Sequence, residues 1–218
     1  MDDLLLPLFP LDVVLLPQEL LPLHIFEERY KQMIGACLEA KTASAGQQEF
    51  GILHLKGEEL QTTGCTARIV NVTRKYSDGR MDILTVGSRR FEVLFTNEEK
   101  TYLRGGVAFF DDDPECDTPD DAEAERAISL FRQAIQGLRK SSEILVHLPR
   151  PYRHLSFRIA GSLPLDVDFK QELLALRNER ERLGRMTQLI ERLIAHVKLV
   201  EDARRKAGGN GNVGPTKS

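Results

Sequence analysis

Residues 4–30 read LLLPLFPLDVVLLPQELLPLHIFEERY, a nearly continuous apolar run cut by Pro7, Pro10, Pro17 and Pro22. Proline lacks a backbone donor and breaks helices, so the run predicts short extended pieces with proline corners. These are "LPLFPL", "VVLLP" and "LPLHIF". The period then changes. In "EERYKQMIGACLEA" the apolar residues Tyr30, Met33, Ile34, Cys37 and Leu38 fall on one helical stripe. Residues 41–48 read as a loop.

From 49 to 110 the period is two. "EFGILHLKG", "GEELQTTGCTARIVNVTRKY", "MDILTVG", "RRFEVLF" and "YLRGGVAFF" are predicted strands. Asp78-Gly79 between two of them is a hairpin signal, because glycine supplies the positive φ that the tight turn needs. "GSRRF" reads as a further turn that presents Arg89 and Arg90, and Gly105-Gly106 as a bulge. Residues 111–125 hold nine acidic residues and two prolines, which marks a boundary.

Beyond the boundary the pattern is helical. Thr118 with Pro119 reads as an N-cap followed by proline at the first helical position. Ala127, Leu130, Phe131, Ala134, Ile135 and Leu138 then form a stripe, and a shorter helix covers about 152–162. Asp168 with Gln171, and Asn178 with Glu181, read as helix starts. The last helix carries Leu183, Met186, Leu189, Ile190, Leu193, Ile194, Val197 and Val200 on one face. This gives an α+β chain: a β subdomain over 1–110, an acidic linker over 111–118, a helical subdomain over 119–202 and a disordered tail over 203–218.

Composition narrows the function classes. The net charge of −3 offers no global field for nucleic acid or anionic lipid. The acidic start and the prolines exclude a secretory signal or a spanning helix in the opening run. Cys37, Cys65 and Cys116 have no disulfide or zinc spacing, which fits a reducing cytoplasm and no metal. Phosphate-loop, dinucleotide and nucleophile-elbow motifs are absent, so neither an enzymatic activity nor a cofactor is expected. His24, among apolar neighbours and beside a proline corner, stands out from the other histidines.

"LPLFPLDVVLLPQELLPLHIFEERYKQMI", "FGILHLKG" and "GCTARIVNVTRKYSDGRMDILTVGSRRFEVL", followed by "IAGSLPLDVDFKQELLALRNERERLGRMTQLIERLI", together resemble the N-terminal substrate-binding domain of the LON proteases. The helical part matches at Leu163-Pro164, Lys170-Gln171, Leu173-Leu174 and Glu181-Arg182-Leu183. The resemblance implies a PUA-like β-barrel with one inserted helix, then a C-terminal helical bundle. It implies a non-catalytic module for client proteins or peptides, free of the ATPase and Ser–Lys peptidase parts, alone or with a protease in trans. The peptide-binding candidates are Phe9, Pro10, His24, Phe26, Arg89 and Arg90. An RNA-binding barrel using Arg68, Arg74, Lys75, Arg80, Arg89 and Arg90 is the alternative, and the long helix or a sheet edge offers a homodimer contact.

Overall fold

The structure, a computed structural model, describes residues 5–39, 49–115, 118–138 and 154–209. The loop expected at 41–48, Cys116, His147 and the end of the expected tail lie outside the described residues. Six strands come first: β1 (Leu6–Leu11), β2 (Leu20–Ile25), β3 (Glu49–Lys56), β4 (Glu59–Lys75), β5 (Met81–Asn97) and β6 (Arg104–Phe110). Helix α1 (Glu28–Glu39) is inserted between β2 and β3. Four helices follow: α2 (Asp121–Leu138), α3 (Leu155–Ala160), α4 (Val167–Ala175) and α5 (Glu179–Gly209). The chain is thus a mixed sheet plus helices.

The strands form one sheet in the order β2-β5-β4-β3-β1-β6, and β6 pairs with β5 as well as with β1. The β1–β3 pair is parallel and the others are antiparallel. The two 17-residue strands β4 and β5 make this curvature feasible. Register shifts interrupt β4–β5 pairing in three places and β5–β6 pairing once, and such bulges bend a strand and increase its twist.

The fold departs from the sequence pattern in three places. "VVLLP" is not a strand: Val14, Leu15 and Leu16 are buried in the loop between β1 and β2. "GSRRF" is not a turn, since residues 87–91 lie inside β5. Gly87 serves close approach instead, because a Cβ there would meet the Leu16 carbonyl oxygen at 2.0 Å. The amide of Gln18 donates to the Gly87 carbonyl, and that of Gly87 to the Glu19 carbonyl, each at 2.8–2.9 Å. The extra residue of the β5–β6 bulge is Leu94, not a glycine. It separates Phe95 from the inward face of Phe91 and lays the Phe95 ring over Gly106.

Helix starts differ from expectation in two places. In α2 the cap is Asp120: its carboxylate accepts from the Glu123 amide at 2.8 Å, and Glu123 accepts from the Asp120 amide at 3.0 Å. In α4 it is Asp166, which accepts from the Asp168 and Phe169 amides. Asn178 accepts from the Glu181 amide at the start of α5, as its spacing indicates. Helix α5 runs on to Gly209, past residue 203 where the sequence pattern begins a tail.

The main core joins the sheet, α1 and the later helices without a gap. Phe9, Phe50, Ile52 and Ile83 share it with Met33 and Ile34 of α1, and with Phe131, Phe157, Leu173, Met186 and Ile190. A second, smaller cluster of Leu8, Leu53 and Phe91 lies among the strands. Helices α2 and α3 pack on α5, while α4 packs on β4.

Candidate functional site: an aromatic-lined groove beside an oriented histidine

Strand β1 pairs with β6 only at Leu6 and Pro7, so its second half, Phe9–Leu11, is bonded to β3 alone. Strand β2 pairs with β5 alone. Between these two half-free strands and α1 lies a cavity of about 380 Å³, a size that holds small ligands or side chains. Phe9, Pro10 and Leu11 line it from β1, Leu23, His24 and Ile25 from β2, Phe26, Glu27, Arg29 and Tyr30 from the start of α1, and Leu55 and Leu60 from the β3–β4 hairpin.

Both strand edges are blunted. The Leu8 amide donates to the Leu103 carbonyl at 2.8 Å, on the side of β1 away from β3. Backbone direction alternates along a strand, so Pro10 faces that side too and offers no donor. On β2 the Leu21 carbonyl accepts from Thr85 Oγ1 of β5 at 2.8 Å, which turns Pro22 outward by the same alternation. Proline at outward positions opposes strand addition. What remains for recognition is the side-chain cavity.

Its walls are ordered by ring contacts. Phe9 and Tyr30 pack with centroids 3.9 Å apart, and the Arg29 guanidinium lies 4.6 Å from the Tyr30 centroid. His24 stacks on Phe26 at 5.9 Å and meets the edge of Tyr76 at 5.9 Å. Its Nδ1 is 2.5 Å from an Asp82 carboxylate oxygen, while the Tyr76 hydroxyl donates to the other at 2.9 Å. The hydrogen bonds from His24 and Tyr76 hold the Asp82 carboxyl below the usual carboxylate range. Asp82 thereby fixes the imidazole through Nδ1 and leaves Nε2 as the ring atom available to a ligand. Phe26 is 60% exposed while its ring stacks on His24.

Of the six candidates named from sequence, the fold brings Phe9, Pro10, His24 and Phe26 to this groove. The adjacent arginines do not join them. Arg89 lies on the outer face, its guanidinium 3.8 Å from the Phe109 centroid and 3.5 Å from Glu49. Arg90 is 2% exposed and points inward, so the expectation that the pair contacts a partner is corrected for Arg90.

Arg90 belongs to a buried ionic clasp that the sequence did not reveal. It donates to the carbonyls of Leu174 (3.2 Å) and Leu176 (2.5 Å) and to Asp112 (2.7 Å). Arg182, fully buried, donates to both Asp112 oxygens, to Glu179 and to the Leu176 carbonyl at 2.6 Å each, and to Ser156 at 3.2 Å. Ser156 donates its amide and hydroxyl to Glu179. Burial pushes the Asp112 carboxyl up, but the two guanidinium groups outweigh that and leave it below its ordinary value. Asp112, Glu179 and His154 are close enough to share a metal ion, yet the carboxylate oxygens already accept from the two arginines. The arrangement suits a structural tie between β5, the segment after β6, α3 and α5.

Cys37 and Cys65 are unsuited to nucleophilic work. Burial pushes Cys37 up to about 11 and Cys65 up to about 12. No helix among the described residues is long and apolar enough to cross a membrane.

The family model of the ATP-dependent protease La (LON) substrate-binding domain matches residues 5–192. The chain is 30% identical over 198 residues to a Lon protease of Buchnera aphidicola, covering 85% of this chain and 24% of that protein. It is 27% identical over 206 residues to Lon protease 1 of Hydrogenovibrio crunogenus, again covering 24% of it. The chain therefore spans about a quarter of the length of these relatives. Its fold is similar to that of a Lon N-terminal domain protein from Xanthomonas campestris, with a TM-score of 0.62 at 24% identity over 84% of this chain and 96% of that one. It is equally similar to the N-terminal domain of a Mycobacterium avium complex Lon protease, with a TM-score of 0.62 at 19% identity over 86% and 98%. The chain belongs to the family of ATP-dependent protease La (LON) substrate-binding domains.

Proposed function

We propose that this chain is a non-catalytic module that holds client proteins through the groove between β1, β2 and the start of α1. The exposed, ordered Phe26–His24 stack at the mouth of an apolar cavity carries the reading. Family membership supports it, since the matching region is a substrate-binding domain. In this reading the curled sheet serves as a PUA-like barrel and the later helices as the bundle that braces it. The clients are protein segments that expose apolar side chains, and the ATP-driven and peptidase steps belong to other modules.

Binding through a side-chain cavity differs from strand addition in a measurable way. Labelled unfolded client titrated into the protein should show saturable binding that Phe26→Ala weakens, while Leu20→Lys on the outer edge of β2 leaves it intact. Undiminished binding by Phe26→Ala would move the site elsewhere.

A further inference from the structure

The charge around the groove is not symmetric. Arg74, Asp82 and His24 stand in register across β4, β5 and β2, and Lys75, Met81 and Ile25 do so one residue on. Tyr76 carries the Arg74 guanidinium 4.6 Å and the Arg80 guanidinium 5.0 Å from its centroid. The carboxylates here are committed: Asp82 to His24 and Tyr76, Asp78 to Arg80 at 2.7 Å, and Glu27 to Arg29 at 2.8 Å. Among the described residues, Arg74 and Lys75 make no close ion pair, although the Arg74 charge helps to hold the neighbouring Asp82 carboxyl low. The other end of the groove, at the Leu55–Leu60 hairpin, carries the exposed Glu58 and Glu59 instead.

We infer that the groove selects client segments in which an apolar or aromatic side chain is flanked on one side by carboxylates, with the apolar group in the cavity and the carboxylates at the His24–Tyr76 end. The inference rests on the peptide-binding reading and adds a substrate class to it. Charge complementarity supplies the argument. A carboxylate at this end meets Arg74 and the remaining donors of Arg80 and displaces no existing bond of Asp82, while Lys75, on the opposite face of β4, adds only to the longer-range field. A lysine there meets Arg74 and Arg80, and finds the Asp78 and Asp82 carboxylates already engaged. At the hairpin end Glu58 and Glu59 repel a carboxylate, so the flank also sets the direction of the segment. Exposed charges act weakly and are screened by salt, so the selection is modest and salt-dependent.

The test uses two labelled peptides that share one Phe–Leu core and differ only in a C-terminal flank of Asp-Glu or of Lys-Lys, titrated by fluorescence anisotropy into the full chain. The acidic peptide is expected to bind about threefold to tenfold more tightly at about 0.02 M salt, with the gap closing by about 0.3 M. Arg74→Glu with Lys75→Glu should abolish or reverse the preference, and Phe26→Ala should weaken both peptides. Both charge sites are exposed, and an unchanged melting curve verifies that the variant is folded. Equal affinities, with Phe26→Ala still weakening both, would overturn the charge selection and leave the groove as a peptide site. A preference that Arg74→Glu with Lys75→Glu leaves unchanged overturns the assignment to this end. Failure of both peptides to bind overturns the peptide-binding reading along with it.

Discussion

The clasp and the groove are built from the same parts and are put to opposite uses. In each, guanidinium groups lie against aromatic rings and carboxylates accept from cationic donors. In the clasp, Arg182 lies 4.3 Å from the Phe157 centroid and Arg90 lies 4.7 Å from that of Phe110. At the groove, Arg29 lies against Tyr30, and Arg74 and Arg80 against Tyr76. Solvent makes the difference. The clasp is desolvated, so every charge must be matched, and the match leaves nothing for a ligand. The groove is wet, so an Arg74 with no close ion pair is tolerable and its stacking contacts remain available. Residue type alone therefore does not identify a binding surface. Burial does.

The two regions differ most at Arg182. Arg182→Met should cost about 3–5 kcal/mol in urea unfolding, because Glu179 is left as a buried charge with no cationic partner and Asp112 keeps Arg90 alone. Adding Asp112→Asn and Glu179→Gln should recover part of the loss, since the cost comes from the stranded carboxylates and not from the missing arginine. If the single variant were neutral, the clasp would be solvated like the groove.

Acid separates the two regions next. The folded value of Asp112 is depressed, so its contribution is complete above the unfolded value of about 3.9 and is lost as pH falls through the lower folded value. Asp112→Asn should destabilise by about 1–3 kcal/mol at neutral pH, and its deficit relative to the parent should shrink as pH falls from about 5 towards about 3. Stability curves at a series of pH values read this directly. A deficit that stays constant over that range would mean that Asp112 contributes nothing as an ion.

The two regions also differ in how far the sequence discloses them. Residues close in the chain were legible: the α1 stripe, the Asp78-Gly79 turn with Gly79 at φ 83°, and the Asn178 cap all follow from local rules. Four groove residues were legible for the same reason, since a proline-bent apolar run must border something other than a central strand. Contacts between distant positions were not. Asp82 reaches His24 across 58 residues, and Arg90 reaches Leu176 across 86. No period or spacing encodes either pairing. Gly87 shows how a local rule misleads: glycine before Ser88 looks like a turn, but the reason for it is Leu16, brought against it by the fold.

At the groove the effect should appear in binding and not in stability. Phe26→Ala is expected to weaken client peptides about fivefold to twentyfold, which is about 1–2 kcal/mol, with the melting temperature unchanged. The ring is already mostly in water, so folding gains little from it. A drop in melting temperature of several degrees would instead make Phe26 a packing residue and remove the main support for the site.

The smallest expected effect isolates burial from everything else, because it compares neighbours of one type on one strand. Arg89 and Arg90 point to opposite faces of β5, as successive strand residues do. Arg89 stacks on Phe109 in solvent, and its contact with Glu49 is long at 3.5 Å. Its removal in Arg89→Ala should cost no more than about 0.5 kcal/mol, a change of a degree or so in melting temperature. Arg90→Ala strips two carbonyls and Asp112 of a buried donor and should cost several times as much. Equal losses at the two positions would mean that the Phe109 face is itself covered. In that case Arg89 returns to the set of interface candidates.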